Sequence, residues 1–320
     1  MPETPMRGIA VQPRAYWVGC CLVIAGGLVL SLGVLCIRAA YTSDAWQYLF
    51  WRGLGFGCAA SVLAAWRHGR SPTTQIRHLG GFAWVSVFAL VASQVLFVAA
   101  IKIGSTAEVF FLLSLAPLMA AMLARPLLGE RIGLFGLCAI AVALAGVALM
   151  SGLSFNVDAI IWASGDGPWV ARALAVGAAF SFGLYSLAIR GARTEDLDAA
   201  LVAGGIITAI TCAIALLWLG LPMAPSLRDA VLALVHGGII LTLGLVLFAR
   251  GSRVVPGVTL VMLAQAETVA APIWTYIFFN ETTTAAVILG GGLILIAVLM
   301  QASDQARRKP EPAPTGPSPA

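Results

Sequence analysis

The chain has 320 residues, of which 60% are hydrophobic and 10% charged, with a mean hydropathy of +0.95 and a net charge of +5. Globular domains carry about 25% charged residues, so this composition excludes a water-soluble fold and predicts an integral membrane protein. The basic residues form no stripe with interleaved aromatic residues, which argues against nucleic acid as a partner. The positive charge instead concerns membrane orientation and contact with anionic lipids.

Ten apolar stretches follow one another along the chain, each close to the roughly 20 residues that a helix needs to cross a bilayer. The predicted spans are 16–36, 46–66, 80–101, 106–124, 131–151, 169–189, 200–219, 231–249, 256–277 and 283–301. The first is longer than the core of a signal peptide, about 7–15 residues, and is interpreted as a retained span. Short turns on either side of the fourth span predict antiparallel neighbours.

Basic residues distinguish the two sides of the membrane. When the N-terminus and every second loop are placed on one side, that side receives fourteen of the nineteen Lys and Arg residues. The other side receives Arg38, Arg52, Lys102, Arg172 and Arg228. By the positive-inside rule, both termini are expected in the cytoplasm.

A passage in the first half of the chain recurs in the second half. Residues 107–131 hold an apolar span with a proline inside it and an acid just past its end, and residues 265–282 repeat this arrangement. The motif residues are Pro117, Gly129, Glu130 and Arg131 in the first passage and Glu281 in the second. They are expected to shape helices and turns. One recurrence at half the chain length indicates a duplication.

The longest connection, residues 152–168, divides the chain into two halves of five spans each. An odd number of spans requires the second half to be inverted relative to the first. We therefore predict an all-α integral membrane protein with ten transmembrane helices in two inverted five-helix repeats. The predicted regions are a cytoplasmic N-terminal segment (1–15), a first repeat (16–151), an outer linker (152–168), a second repeat (169–301) and a disordered cytoplasmic tail (302–320). Inverted repeats are common in secondary transporters, which bind substrate near the midplane.

Ionisable residues deep inside spans are functional candidates, because a charge there costs about 2.5–3.5 kcal/mol. Glu267 lies near the middle of span nine, where it would bind a cation, hold a proton or pair with a base; the alternative is a protonated structural carboxyl. Arg52 lies about 9 Å inside span two and would bind a carboxylate or phosphate, unless it snorkels to the interface. Glu108 and Trp274 are expected at the membrane interface.

Neutral polar residues would complete a substrate pocket. Arg52 and Glu267 offer complementary anchors for a zwitterion, and a partly desolvated Glu267 could exchange a proton for substrate. The predicted substrate-binding residues are Arg52, Gln94, Ser114, Ser181, Tyr185, Gln265 and Glu267. Any one of the neutral groups could instead bond to a helix backbone.

Signals of soluble enzymes and metal sites are missing from the sequence. It has no Walker loop, no His-Glu-x-x-His and no Gly-x-Ser-x-Gly, and its six cysteines form no Cys-x-x-Cys pair. We therefore predict a chain that is not an enzyme, binds no metal or cofactor and cannot use ATP by itself. Two other classes stay open, a membrane-embedded enzyme and a channel. The enzyme would need clustered His, Asp or Glu, and the channel would show flux without saturation.

Five motifs point to a known family. They are Trp46–Arg52, Ala116-Pro117, Leu128–Arg131, Gln265–Glu267 and Asn280–Thr282. With them the chain, over about residues 16–301, resembles the EamA-type ten-helix permeases of the drug/metabolite transporter superfamily. The resemblance implies a bacterial inner-membrane permease, most often an exporter of amino acids or related metabolites. A nucleobase, vitamin, metallophore or drug stays an alternative substrate, and monomer and homodimer both stay open.

Overall fold

The computed structural model describes residues 13–68, 76–77, 79–128, 134–150, 168–191, 196–252, 254–255 and 257–307. Within these ranges ten helices follow one another, and three of them are irregular. The irregular helices are α1 (Pro13–Ser31, α1a, and Gly33–Ala39, α1b), α4 (Thr106–Leu113, α4a, and Ala116–Leu128, α4b) and α8 (Leu227–Val235, α8a, a π-helix over His236–Leu241, and Thr242–Gly251, α8b). The others are α2 (Ala45–His68), α3 (Gly81–Ile103), α5 (Leu134–Met150), α6 (Pro168–Gly191), α7 (Asp196–Leu219), α9 (Gly257–Phe279) and α10 (Ala285–Arg307).

The described helices confirm the predicted spans. Each predicted span coincides with one helix, and the ends differ by only a few residues. Among the described residues, nine helices are long and apolar enough to cross a membrane, and α5 is a shorter apolar helix. We call the side on which α1 begins and α10 ends the terminal side, and the opposite side the far side.

Three predictions concern residues outside these ranges. Gly129, Glu130 and Arg131 fall outside the described residues, and so does most of the linker over 152–168. The tail from residue 308 also lies outside. Their expected roles stay predictions.

The fourth helix is broken near its middle. Residues 114 and 115 form a turn between α4a and α4b, directly before Pro117. Proline has no N–H and cannot bond to the carbonyl of Leu113 four residues earlier. The hydroxyl of Ser114 donates to the carbonyl of Phe111 at 2.6 Å and so satisfies one of the acceptors freed by the turn. In contrast, α9 continues as one helix through Pro272.

Helix pairing repeats between the halves. The first helix packs on α8 and α9, and its counterpart α6 packs on α3 and α4. The pairs α2 with α7 and α5 with α10 join equivalent helices. The pairing is therefore unchanged when the halves are exchanged, as expected for two copies of one unit.

Contacts between α3 and α6 establish the inversion. The hydroxyl of Ser93 donates to the carbonyl of Ala178, and further along α3 Gly104 lies against Ala171, so the two helices are antiparallel. Because α1 and α3 cross in the same direction, α6 runs opposite to its counterpart α1. This arrangement confirms the two inverted repeats.

Close helix crossings hold the halves together. At the crossing of α2 and α7, a Cβ atom at Gly205 would lie 2.6 Å from the Cα of Gly57. Apolar chains gain little from leaving lipid for another helix, so close van der Waals contact of this kind drives association in a bilayer.

Candidate functional site

A cavity of about 290 Å³ lies between the two halves near the middle of the helices. It is close to the lower end of the range for ligand pockets, about 300–1,000 Å³. Six of the seven predicted substrate-binding residues border it, namely Arg52, Gln94, Ser114, Tyr185, Gln265 and Glu267. Ser181 is not among its lining residues, although Tyr185 on the same helix is.

The guanidinium of Arg52 is buried beside this cavity, and the residue is only 4% exposed. Its Nη1 donates to Oε1 of Gln94 at 2.6 Å, and its buried Nε has no hydrogen-bond partner among the described residues. Gln94 is neutral, so this hydrogen bond does not compensate the charge. A buried cation with a free donor is costly unless an anion approaches it, so the arrangement suits an anionic group. Burial also excludes the alternative that Arg52 snorkels to the interface.

Glycines on two faces of α2 explain how Arg52 becomes buried. A Cβ atom at Gly53 would lie 2.9 Å from the backbone N of Ala209 on α7. At Gly55 it would lie 3.1 Å from the backbone N of Gly238 on α8. Both neighbouring helices therefore approach α2 closely and shield Arg52 from lipid.

Glu267 borders the same cavity from the second half of the chain. Among the described residues, no group donates a hydrogen bond to its carboxyl, which argues against a purely structural role. It also lies within electrostatic range of Arg52. Gly27 of α1 packs against the backbone of Glu267, where a Cβ atom would lie 3.3 Å from its N. This close contact fixes the level at which the carboxyl enters the cavity.

The neutral polar residues differ in how freely they can bind a solute. Ser114 bonds to its own helix, and Gln265 accepts from Thr268 at 3.3 Å and donates weakly to Val261. The hydroxyl of Tyr185 has no hydrogen-bond partner in the described part of the chain and borders the cavity. Tyr185 is therefore the neutral group most available to a ligand.

Apolar side chains form most of the remaining wall, namely six leucines and five phenylalanines. The phenylalanines that border the cavity are Phe56, Phe97, Phe110, Phe182 and Phe248. Phe97 and Phe110 meet edge to face, with ring centroids 5.4 Å apart. Such a wall favours an apolar body and leaves few polar groups to orient it.

Two residues expected at the membrane interface have polar partners that the sequence did not predict. Glu108 is buried, 8% exposed, and its carboxylate accepts from Arg172 Nη2 at 2.8 Å. The indole N–H of Trp274 donates to the hydroxyl of Ser31 on α1 at 2.9 Å, so this ring joins two helices. In both cases a partner on another helix satisfies the polar group, which therefore needs no interfacial water.

Glu281 stabilises a different helix from the one its sequence position suggests. It follows α9, and an acid there is expected to favour the start of α10. Its carboxylate instead accepts from the backbone N–H of Thr106 at 2.6 Å, at the start of α4a, and from Arg38 at 3.0 Å. An acid at a helix N-terminus is stabilising. Glu281 therefore stabilises the start of α4a and not the start of α10.

Sequence reasoning missed two buried polar clusters. The hydroxyl of Tyr48 and Nδ1 of His236 are 2.7 Å apart, and both residues are buried. Asp229 accepts from the backbone N–H groups of Thr42 and Ser43 at 3.0 and 2.8 Å. An ionisable residue within an apolar stretch was the signal that could have found His236.

Comparisons with known proteins agree with the fold. The EamA-like transporter family matches residues 17–152. A solved crystal structure aligns with 91% of this chain and 99% of its own length, with a TM-score of 0.60 and 17% sequence identity. At that identity the likeness concerns the fold alone. No curated protein matches the chain.

The family match covers α1 to α5, which supply Arg52, Gln94 and Ser114 to the cavity. The described chain is a multi-pass membrane protein, and the family carries no enzymatic activity. Residues 17–152 thus belong to the EamA-like transporter family, and this membership implies membrane transport of small solutes.

Proposed function

We propose that the chain is a secondary transporter that exports an amino-acid-like solute with an apolar side chain across the bacterial inner membrane. Transport proceeds by alternating access, with both termini in the cytoplasm and with proton exchange at Glu267. The observation that supports this most directly is the pair formed by Arg52 and Glu267. They border one cavity with opposite charges and are contributed by different halves.

The solute's charged ends have complementary partners. Its carboxylate would accept from the guanidinium of Arg52, whose Nε has no partner in the described part of the chain, and its ammonium would donate to Glu267. Charge-assisted hydrogen bonds of this type are shorter and stronger than neutral ones. The phenylalanine wall would cover the apolar side chain. A wholly apolar drug would leave both charges without partners, which is costly in a desolvated site.

Proteoliposomes with purified protein test the proposal, with L-leucine as the probe. We expect saturable leucine exchange, strongly reduced for leucinol, which lacks the carboxylate, and for 4-methylpentanoate, which lacks the ammonium. Arg52→Ala and Glu267→Gln should each abolish or strongly reduce exchange while the protein still inserts and folds. Arg228→Gln is the matched control, because Arg228 lies at the far side and bonds to the Tyr41 hydroxyl.

Proton coupling is tested with an imposed pH gradient. Wild-type protein should accumulate leucine against its gradient, and any transport left in Glu267→Gln should lose this response. Wild-type exchange rates in both variants would show that neutral Gln, Ser and Tyr groups bind the solute instead. If leucine is not transported, efflux from a deletion strain across a metabolite panel identifies the substrate class.

A further inference from the structure

Three helices of the bundle, α1, α4 and α8, have irregularities that their counterparts lack, and two of these irregularities lie close together. Helix α1 is interrupted at Leu32, and α8 contains the π-helix His236–Leu241. Their counterparts α6 and α3 are regular throughout. Because one copy of the repeat folds without these irregularities, the fold itself does not require them. Short π-helices are rare and are frequent at functional sites.

The two irregularities touch each other at His236. Its ring lies so close to Gly33, the first residue after the break in α1, that a Cβ atom there would come within 2.9 Å of its Cδ2. On another edge of the ring, Nδ1 meets the hydroxyl of Tyr48 on α2 at 2.7 Å. His236 therefore lies at the junction of three helices, directly where two of them change direction or register.

The segments beyond these irregularities are tied to each other on the far side. The carboxylate of Asp229 on α8a accepts from the hydroxyl of Thr42 at 2.7 Å and from the backbone N–H of Ser43 at 2.8 Å. Asp229 is 1% exposed, so its carboxylate depends on these partners in the protein. Residues 33–43 and 227–235 therefore behave as one unit, which we call the far-side flap.

The outer edge of the flap is held by an ion pair with the rest of the protein. Arg38 donates to Glu281 at 3.0 Å and to the carbonyl of Gly104 at 2.7 Å. Lys102 also donates to the carbonyls of Ala40 and Ser43. The side chains of Arg38 and Glu281 are 22% and 21% exposed. The pair keeps some contact with water, so its charges can be rehydrated when it opens.

The cavity extends away from the flap. A second cavity of about 60 Å³ shares Phe56, Leu201 and Leu245 with the central one and continues to Arg67 and Asp198 near the terminal side. The central cavity therefore points to the terminal side, away from the flap.

We infer that the far-side flap is the gate that opens the central cavity to the far side. It tilts at Gly33 and at the π-helix, with His236 as the pivot, and the Arg38–Glu281 ion pair is its latch. The inference rests on the proposed alternating access and adds which segment moves and what releases it.

Accessibility of the cavity tests the latch. A cysteine-free protein with Ser114→Cys as reporter is reacted from the far side with a charged, membrane-impermeant methanethiosulfonate. Arg38→Gln and Glu281→Gln should each speed this reaction about two- to fivefold, the range for a partly exposed ion pair. Arg228→Gln is the matched control and should leave the rate unchanged, because the bond of Arg228 to Tyr41 joins two parts of the flap and does not hold the flap to the rest of the protein. Equal rates in all three variants would overturn the assignment of the latch.

Cross-linking tests the flap itself. A short bifunctional methanethiosulfonate between Arg38→Cys and Glu281→Cys should stop transport until a reductant is added. The same reagent between Thr42→Cys and Asp229→Cys joins two parts of the flap and should leave transport intact. Transport through the first cross-linked pair would show that the flap does not move. The labelling assay needs no solute, so it stays valid if the solute proposed above is wrong.

Discussion

At the scale of single residues, the chemistry of the cavity depends on which partner each charge has. The partner of Arg52 is Gln94, an amide that orients the guanidinium without neutralising it. An acid at position 94 would both orient the guanidinium and neutralise its charge. The neutral partner is therefore what leaves the positive charge available to a solute carboxylate.

Gln94→Glu should abolish leucine exchange although it changes few atoms. A carboxylate 2.6 Å from the guanidinium would occupy the donors that the solute needs. Gln94→Ala should be milder and raise the half-saturation concentration about tenfold, the cost of one hydrogen bond to a charged group. Concentration-dependent counterflow in proteoliposomes measures both. Near-normal exchange by Gln94→Glu would remove Arg52 from the site.

Ionisable residues in apolar spans predicted the main charges of the cavity, because lipid makes an unpaired charge costly at any position. Partners could not be predicted in the same way. Glu108 and Arg172, or Tyr48 and His236, are far apart in sequence, and only the packing of several helices brings them together. Hydropathy reports burial of a segment and carries no information on which neighbour satisfies a polar group.

At the scale of helices, the span positions follow from the length and apolarity that a bilayer requires, and the prediction succeeded for that reason. The break in α4 and the π-helix in α8 did not follow, because they depend on local hydrogen bonding. Pro117 and Pro272 illustrate the limit. Both lie within predicted spans, yet the helix breaks before Pro117 and continues through Pro272.

The end of α9 gives a prediction about backbone conformation. Asn280 has a φ of 53°, and its N–H bonds to the carbonyl of Tyr276 at 3.0 Å, which closes the helix. Asn and Gly adopt this left-handed conformation readily. Asn280→Gly should therefore keep the melting temperature in detergent, whereas Asn280→Val should cost about 1–2 kcal/mol. Equal melting temperatures for the two variants would contradict the observed cap.

The crossing of α2 and α7 gives a prediction about packing. Gly205→Ala would place a methyl group against the backbone of Gly57 and should destabilise the protein by about 1–3 kcal/mol. Gly292→Ala is the control, because a Cβ atom there meets no described atom within 4 Å. That variant should melt at or slightly above the wild-type temperature, since alanine favours helices. Thermal unfolding followed by size-exclusion chromatography distinguishes the two.

At the scale of the whole molecule, the two halves are equivalent in pairing but differ in detail, and the irregularities of α1 and α8 meet at His236. A symmetric scaffold supplies the site between its halves, and the irregular segments supply a place where one half can move. Orientation in the membrane decides which compartment the far side meets. From the positive-inside rule we expect it to lie outside the cytoplasm.

Cysteine labelling checks that orientation. Tyr41 lies in the turn after α1b and is 72% exposed. In a cysteine-free protein, Tyr41→Cys should react with an impermeant maleimide in intact cells, and Arg70→Cys should react only after the cells are opened. The reverse pattern would place the far side in the cytoplasm and would reverse the proposed orientation of the transporter.

The opposite charges of Arg52 and Glu267 also determine how transport responds to membrane voltage. A zwitterion adds no net charge to the cavity, so solute exchange should be electroneutral and independent of voltage. A return step with Glu267 protonated carries one extra positive charge, and moving one charge across 100 mV involves about 2.3 kcal/mol. Net export driven by protons should therefore be strongly voltage-dependent, which valinomycin-imposed potentials in proteoliposomes would reveal as a difference between exchange and net flux.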